Sequence, residues 1–385
     1  MKLELVLTAL VAFAFTLASA SCTKGAEPAG RRTSTSGDSG EGSGVEEEDI
    51  FTAHITIGSY NVWNEQMRKD YCDARNDKDS RWHFEGDGVF IDNDPRLWEN
   101  SKKFVGKAII GCGYDAFALT EIDNDKMKSD IQVVVKDAGG DYRWIFIPLD
   151  GLTGNDGYDV FAYDPEVFDA VRQGTRWLSD IGNGKSPTIY GISATTSYSN
   201  HKKWNDTDKH RTFSYVVLEH KKTGKSLMFC TCHGPLNDEW NTYAGKNYIP
   251  AYVKEENKNE LPVIFAGDLN SCPYADKYAN GGMYDELKKI WKHAYSEADE
   301  AGLLSKDDRE NPCTWVSQRG QKSMLKSADH PFKHQLDHIF YSSEFTLKAY
   351  RANRYVHNER YYMSESGYRN FFPSDHVPVA ASFDL

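Results

Sequence analysis

Residues 51–385 are predicted to form one α/β domain, and two observations carry this prediction. Short apolar runs typical of buried strands alternate with segments in which apolar residues recur at helical spacing. The apolar runs repeatedly end in a polar side chain, as the run from Val263 to Ala266 does before Gly267 and Asp268. Because the loops after such strands are where α/β proteins bind ligands, these strand ends are where we look for function.

Residues 1–21 have the plan of a secretory signal peptide, with one Lys, an apolar run and then small residues before Cys22. The apolar run is too short for a comfortable membrane-spanning helix. Small residues directly before a lone Cys resemble a bacterial lipoprotein cleavage site. We therefore expect export and lipidation of Cys22, which would anchor an outer-membrane lipoprotein in a lipid membrane, on the periplasmic side or the cell surface. Ser19 stands where Leu is usual, so ordinary cleavage and secretion remain the alternative.

Residues 22–50 are rich in Gly, Ser, Thr and Glu and poor in apolar side chains, which predicts a flexible linker after the lipidated Cys22. Residues 51–385 contain no internal repeat and no second break of this kind, and they are numerous enough to bury a full core. We expect a monomer.

The formal net charge is −12, and residues 51–385 hold 49 acidic against 41 basic residues. This balance does not suit a protein that binds long nucleic acid through a broad basic face, although it is compatible with a local basic patch. Nucleic acid is therefore a possible partner but not the favoured one.

Six cysteines follow Cys22, and their spacing matches no zinc motif. Cys230 and Cys232 would lie on the same face of one strand, where a disulfide is awkward. We interpret the six mainly as small buried apolar residues.

The elements predicted for the first half of the domain are a strand that ends at Asn61, a long loop or insertion over 64–97, and a helix from Trp98 to Gly111. A strand that ends in Glu121 and a helix over 124–138 follow. Three further strands are predicted over 142–148, 158–163 and 167–171.

In the second half, strands over 213–220 and 226–232 flank a turn and predict a hairpin, with Arg211 just before it and His233 just after it. A helix over 240–259, the strand before Asp268, and a helix over 284–300 are predicted next. The chain closes with a strand over 335–341 and a terminal strand preceded by a Ser-Asp-His turn at 374–376.

Polar residues thus recur at predicted strand ends. Each of them alone also suits a turn, a helix cap or a structural role, but so many at one kind of position favour a shared site. Carboxylate and carboxamide oxygens suit Mg²⁺ or Mn²⁺, whose natural substrate group is phosphate, and a His paired with an Asp can stabilise developing charge. The pattern predicts phosphoester hydrolysis. The residues are Asn61, Glu121, His233, Asp268, Asn270, Asp337, Asp375 and His376.

Six short motifs, in order, resemble the endonuclease/exonuclease/phosphatase superfamily, whose members include deoxyribonuclease I, sphingomyelinases and deadenylases. The motifs are SYNVW, FALTEID, TCHGPLN, FAGDLNS, LDHIF and PSDHVPV, and they extend over residues 53 to 384. The resemblance implies a four-layer αββα sandwich, in which two mixed β-sheets pack face to face with helices outside and the site lies where the strand ends converge.

The resemblance also implies roles. Glu121 would be the principal metal ligand, with Asn61 and Asp375 in the metal shell. Asp268 would orient or deprotonate the attacking water. The scissile phosphate would be bound and stabilised by the remaining residues, which are Asn270, His233, His376 held by Asp337, and Arg211, a position for which Lys209 and His210 compete.

This sequence departs from the family pattern at three places. Thr120 stands where Gln usually precedes the metal-binding Glu, and Gly234 and Pro235 follow His233 where Leu is usual. Arg176 interrupts a Gly-Thr-Phe-Trp-Leu-Ser-like stretch common in exported bacterial members near the deadenylases.

The preferred hypothesis is a metal-dependent phosphohydrolase, most simply a phosphodiesterase, acting on a phosphate ester outside the cytoplasm. A secreted endo- or exonuclease is the alternative, followed by an inactive binding module.

Overall fold

The structure, a computed structural model, describes residues 52–76, 94–149, 157–178, 211–236, 238–273, 281–316, 334–355, 361–363, 367–369 and 372–385. The predicted signal peptide, Cys22 and the linker lie outside these residues, as do residues 77–93 of the predicted insertion over 64–97. The described residues fall within one unit that spans 48–385. Among them, no helix has the length and apolarity needed to cross a membrane.

The first sheet has six strands in the order β11-β14-β1-β2-β4-β3, with β1 and β2 parallel and the other neighbours antiparallel. In chain order its strands are β1 (His54–Asn61), β2 (Ala116–Ile122), β3 (Arg143–Pro148), β4 (Tyr158–Tyr163), β11 (Thr346–Ala352) and β14 (Val379–Asp384).

The second sheet also has six strands, in the order β5-β6-β7-β8-β10-β9, and only β7 and β8 are parallel. Its strands are β5 (Phe168–Trp177), β6 (Thr212–His220), β7 (Ser226–Cys232), β8 (Val263–Asp268), β9 (Lys292–His293) and β10 (Asp337–Tyr341). A separate hairpin joins β12 (Tyr361–Met363) and β13 (Gly367–Arg369).

Helices cover the outer face of each sheet. The helices are α1 (Glu65–Asn76), α2 (Trp98–Gly111), α3 (Asp125–Asp137), α4 (Asp238–Tyr243), α5 (Ile249–Glu256), α6 (Gly282–Lys288), α7 (Ala294–Glu300) and α8 (Lys306–Glu310). Apolar faces of α2 and α3 pack on β2 and β4, whereas α5 and α6 pack on β6, β7 and β8. The predicted four-layer sandwich of two mixed sheets with outer helices is therefore confirmed.

The main core fills the space between the two sheets, which we call the inter-sheet space. Side chains alternate between the two faces of each strand, so every second residue points into this space. On β7 these are Leu227 and Phe229, whereas Met228 and Cys230 pack under the helices of the second sheet. All six cysteines after Cys22 are buried, as the sequence predicted.

Three predicted elements differ in the structure. The segment 64–97 is not a loop throughout, because α1 occupies Glu65–Asn76. The predicted helix over 240–259 is divided by a π-helical turn, Ala244–Tyr248. Within this turn Gly245 lies so close to Met283 that a Cβ on Gly245 would be 2.8 Å from the Cα of Met283. The predicted helix over 284–300 is wrong, since β9 separates α6 from α7 by pairing with the edge of β10.

Candidate active site

Strand alternation delivers the predicted polar residues into one end of the inter-sheet space. On β8, Ile264 and Ala266 belong to the inter-sheet core, so Asp268 at the strand end faces the same space. The same step of two residues leads from Ile339 to Asp337 on β10. Asp337 lies directly opposite Asp268, because β8 and β10 are antiparallel neighbours. A single β-bridge then sets His233, just past β7, beside Asp268.

Glu121 reaches the site by a different route, because simple alternation would point it toward the outer helices. The pairing of β2 with β4 shifts register between Leu119 and Ile122, and Glu121 has a φ of +68°. A bulge with a left-handed residue turns a side chain out of its expected face. Glu121 thereby comes within hydrogen-bond reach of Asn61, which stands at the end of β1.

Three hydrogen-bond donors and one nearby imidazole surround the Glu121 carboxylate. Its Oε2 accepts hydrogen bonds from both the backbone N–H and the Nδ2 of Asn64, each at 2.9 Å, and its Oε1 accepts one from Nδ2 of Asn61 at 3.1 Å. Nε2 of His233 lies 3.7 Å from Oε1. Asn64 also caps α1 by accepting the N–H of Met67 at 2.8 Å, so one side chain fixes both a helix start and the carboxylate.

Asp268 is the central carboxylate of the cluster and is only 2 % exposed. Its Oδ2 accepts a hydrogen bond from Nδ2 of Asn61 at 3.0 Å and lies 3.4 Å from Nε2 of His233 and 3.6 Å from Nε2 of His376. Its Oδ1 accepts the N–H of Asn270 at 2.9 Å. Burial raises the pKa of Asp268 to about 6, although the nearby His376 charge opposes that rise.

His376 is clamped by Asp337, whose Oδ2 accepts a 2.7 Å hydrogen bond from Nδ1. This bond fixes the ring and turns Nε2 toward Asp268. Burial alone would lower the pKa of His376, but the charges of Asp337 and Asp268 outweigh it and raise the pKa well above the ordinary value. The shift favours the protonated imidazole, which donates through Nδ1 to Asp337 and presents Nε2 toward the central carboxylate.

Asp375 adds another buried carboxylate to the same end. Burial, reinforced by the charge of Glu121, raises the pKa of Asp375 to about 7. Ser374 ties the turn to β1, since its hydroxyl lies 2.8 Å from the carbonyl oxygen of Asn61 and accepts the N–H of His376 at 3.2 Å.

Arg68 is a buried guanidinium that the sequence interpretation missed. It is fully buried and donates to the carbonyls of Val62, Trp63, Arg96 and Pro373 and to the hydroxyl of Ser101, at 2.5–2.8 Å. Burial lowers its pKa, and the charge of Asp375 opposes that shift. Arg68 thus joins the end of β1 to the turn before Asp375 and places a fixed positive charge behind the carboxylates. The sequence predicts neither Arg68 nor Asn64 as a site residue, because it favours a loop or insertion over 64–97, although an Asn followed by acidic and basic residues is a helix-start signal.

The unusual Gly234 has a steric reason. A Cβ on it would lie 2.2 Å from the carbonyl oxygen of Leu269, so only Gly allows the loop after His233 to approach the loop after Asp268. The N–H of Gly234 donates to the carbonyl of Asp268 at 2.7 Å, and Nδ2 of Asn270 donates to the carbonyl of Gly234 at 2.9 Å. Asn270 keeps a second amide proton with which to meet a substrate oxygen.

Arg211 directly precedes β6, at the same sheet end as His233, and its Nε is buried without a hydrogen-bond partner in the part of the chain that the structure describes. Its sequence rivals, Lys209 and His210, lie outside the described residues. Thr120 does not hold Glu121, because its buried hydroxyl finds no partner among the described residues. Asn61 and Asn64 do that instead.

The donor set fits a divalent cation. Four carboxylates, those of Glu121, Asp268, Asp337 and Asp375, lie at this end of the inter-sheet space, and burial raises the pKa values of Asp268 and Asp375. Ligand atoms of Asp268, Asp337 and His376 lie within 4.8 Å of one another, and one buried oxygen of Asp337 has no hydrogen-bond partner among the described residues. Asn61 presents its amide nitrogen to the carboxylates, while its oxygen accepts the N–H of Trp63.

A family model described as the endonuclease/exonuclease/phosphatase family matches residues 58–376 of this chain. The matched range contains every candidate site residue in the folded domain.

Solved structures with the same fold are similar over nearly all of their length. An endonuclease/exonuclease/phosphatase family protein from Bacteroides thetaiotaomicron superposes with a TM-score of 0.59 and 20 % identity, over 86 % of this chain and 98 % of that one. A mannosyl-6-phosphatase from the same species gives 0.56 and 19 %, over 86 % and 99 %. The human Nocturnin catalytic domain gives 0.51 and 14 %, over 86 % and 93 %. At these identities the likeness shows the fold alone.

Among curated proteins, the CCR4-Not complex 3'-5'-exoribonuclease subunit Ccr4 of Coccidioides immitis is 30 % identical over 139 residues, which are 34 % of this chain and 17 % of that protein. The Ccr4 subunit of Aspergillus clavatus is 31 % identical over 139 residues, or 20 % of its length. The match thus spans about a fifth of these relatives.

Proposed function

The chain belongs to the endonuclease/exonuclease/phosphatase family, whose members are hydrolases of phosphoester bonds, and from this premise we propose that it is a metal-dependent phosphodiesterase that acts outside the cytoplasm. The observation that carries the proposal is the position of Asp268. This buried carboxylate lies 3.4 and 3.6 Å from two imidazoles, beside further carboxylates that suit a divalent ion.

The proposed reaction is in-line attack of water on phosphorus. Asp268 orients the water and accepts its proton, the water oxygen forms the new P–O bond, and the bond to the leaving oxygen breaks as that oxygen takes a proton from solvent. His376, held by Asp337, and His233 donate to the non-bridging oxygens, where negative charge grows. The free amide proton of Asn270 and the guanidinium of Arg211 serve the same phosphate.

We propose that Mg²⁺ or Mn²⁺ is held by Glu121 and Asp375, with Asn61 orienting the carboxylates or, with its amide reversed, joining the shell. When bound, such an ion polarises the phosphoryl oxygen and offsets the charge of the substrate. The carboxylates alone would repel a phosphate, so the proposed enzyme should be inactive in chelator.

A substrate panel tests the proposal. Purified protein is assayed with Mg²⁺ or Mn²⁺ on small phosphodiesters, phosphate monoesters including sugar phosphates, sphingomyelin, inositol phosphates, and single- and double-stranded nucleic acids. We expect the highest kcat/KM on a small diester and none in EDTA. Absence of turnover on every substrate would favour the inactive binding module and reject the proposal.

A nuclease is the second candidate, and the similarity to a Ccr4 exoribonuclease subunit over 139 residues supports it. The acidic balance of residues 51–385 argues against it, because long nucleic acids require many phosphate contacts. A rate on nucleic acid above that on every other substrate would reverse the ranking.

We further propose that the enzyme is exported and tethered to a membrane through a lipidated Cys22. The small residues before Cys22 and the polar linker after it support this proposal. Intact-mass measurement of the mature protein should give a diacylglycerol-modified Cys22 as first residue. An unmodified amino terminus elsewhere would indicate the secreted alternative.

A further inference from the structure

Two buried histidines outside the proposed mechanism lie under the loop that carries Asp268 and Asn270. His338, in β10, is 0 % exposed, and its Nε2 lies 2.9 Å from the carbonyl oxygen of Ser271. Its Nδ1 lies 3.1 Å from Nε2 of His293, in β9, which is 1 % exposed. Nδ1 of His293 in turn lies 2.9 Å from the hydroxyl of Ser296.

The donor and the acceptor can be assigned in each of these three hydrogen bonds. A carbonyl oxygen only accepts, so Nε2 of His338 must carry a proton. Burial lowers the pKa of His338 to about 4 and also lowers that of His293, so both rings are neutral near pH 7. Nδ1 of His338 therefore accepts from His293, and Nδ1 of His293 accepts from Ser296. No ring nitrogen of the pair is left without a bond.

The hydrogen-bond chain ends on a segment with a left-handed residue. Asn270 has a φ of +49°, a backbone conformation that is uncommon outside glycine and that Asn adopts more readily than most other residues. Buried side chains donate hydrogen bonds to the backbone carbonyls on both sides of Asn270. Nδ2 of Asn241 donates to Leu269 at 2.6 Å, and Nε2 of His338 donates to Ser271.

We propose that His338, oriented by His293, is a positioning residue: its hydrogen bond to the Ser271 carbonyl fixes the loop from which Asp268 and Asn270 act. This inference rests on the proposed function for its kinetic consequence, but the fixed loop itself can be measured without any substrate. His338 touches no reacting group, because it points to the helix-covered face of β10, whereas its neighbour Asp337 points into the site.

The kinetic test compares His338→Phe, which fills the space but removes the donor, with His338→Gln, whose amide N–H can still reach the Ser271 carbonyl. We expect His338→Phe to lower kcat about 10²-fold, as small misplacements of catalytic groups do, with KM within about twofold. His338→Gln should recover most of kcat. The matched control is His220→Phe, which removes a histidine that is 7 % exposed and bonded to Thr223 in the hairpin turn, and it should leave kcat unchanged.

Hydrogen exchange of the Asn270 backbone amide, which donates to Asp268, gives a readout that needs no activity. Exchange should quicken at least about tenfold in His338→Phe and return toward the wild-type rate in His338→Gln, while amides of β6 stay unchanged. Unchanged Asn270 exchange in folded His338→Phe, or a His338→Gln variant no better than His338→Phe in exchange and kcat, would overturn the inference. If exchange responds but wild-type protein hydrolyses no phosphoester, the proposed function fails while the loop restraint stands.

Discussion

The two ends of the inter-sheet space are lined by the same strands but by opposite kinds of side chain. At one end, β7 and β8 contribute Phe229 and Ile264 to a core without charge. At the other end they lead to His233 and Asp268, beside the carboxylates of Glu121, Asp337 and Asp375. A step of four residues along a strand thus separates packing from chemistry, and alternation keeps both on one face.

The difference extends to the backbone. Four non-glycine residues in the described part of the chain have positive φ, and three of them, Trp63, Glu121 and Asn270, lie at the polar strand ends. The fourth, Glu260, lies in the loop that leads into β8, at the opposite end of that strand. Because a well-packed core can hold such backbone conformations in place, we expect the apolar end to determine stability and the polar end to carry the proposed chemistry. Substitutions at the two ends should therefore move different observables.

The largest effect is expected for Asp268→Asn, which keeps the shape of the central side chain but removes its basicity. We expect kcat to fall about 10²–10⁴-fold, because an amide cannot take the proton of the attacking water. KM should stay within about threefold of wild type, since the variant keeps the imidazoles and Asn270, which we propose bind the phosphate. Steady-state kinetics measure both, and a rise in KM with unchanged kcat would make Asp268 a binding residue only.

At the apolar end, Phe229→Ala should lower the free energy of unfolding by about 3–5 kcal/mol, through lost burial and a cavity beside Phe161, whose ring centroid lies 5.2 Å away. In the folded protein at low temperature, kcat should stay within about twofold of wild type. Denaturant unfolding and a parallel assay check both, and Phe229→Leu supplies a milder version. A loss of kcat as large as that of Asp268→Asn would contradict the separation of the two ends.

Asp159, on β4, is a buried carboxylate that is not one of the proposed site residues. It is 2 % exposed, accepts hydrogen bonds from the hydroxyls of Thr212 and Ser214 at 2.5 and 2.6 Å, and burial raises its pKa to about 6 from the usual 3.8. Because the folded pKa is raised, the stability it contributes is fully present below about pH 4 and is lost as the pH rises through 6. The loss is at most about 3 kcal/mol.

Asp159→Asn removes this titration. Its unfolding free energy minus that of wild type should therefore increase between pH 4 and 7.5, which denaturant titrations at several pH values would measure. A difference that stays constant over this range would show that Asp159 is ionised at an ordinary pKa in the folded protein.

The smallest effects are expected at Asn64, whose two tasks can be separated. Asn64→Ala should lose about 1 kcal/mol of stability as the cap of α1 disappears. It should also lose about 10–100-fold in hydrolysis, as removal of residues that orient metal ligands typically does. Asn64→Ser restores a capping oxygen but cannot donate to Glu121 through an amide, so it should recover stability and not rate. Recovery of both would mean that only the cap matters.

The sequence reveals the strand ends because alternation and turn residues are local signals. Nearly every residue that converges on Asp268 was found in this way, and so were α2 and β4 with their observed bounds. Residues whose importance comes from distant partners could not be found so easily. Arg68 contacts the carbonyl of Pro373, which is 305 positions away, and His338 acts through His293 on a different strand.

Two buried histidines near Asp337, His376 and His338, illustrate what the sequence alone does not predict. Against the effect of burial, the charges of Asp337 and Asp268 raise the pKa of His376, whereas burial on the helix-covered side of β10 lowers the pKa of His338, the residue after Asp337. Both residues are histidines, so the opposite directions of their pKa shifts come from their tertiary surroundings. The β9 interruption of the predicted helix over 284–300 has the same kind of origin, since the edge of β10 supplies the hydrogen bonds.

The most direct measurement of the central claim is Mg²⁺-dependent hydrolysis of a small phosphodiester by Glu121→Ala protein. The control is Glu219→Ala, which removes an exposed carboxylate near the opposite end of β6. We expect wild type and Glu219→Ala to turn over substrate equally, with activity abolished by EDTA and restored by Mg²⁺. Glu121→Ala should unfold at a similar denaturant concentration but show no Mg²⁺-dependent turnover. Unchanged turnover by folded Glu121→Ala protein would contradict the assignment of this end of the inter-sheet space as a metal-dependent active site.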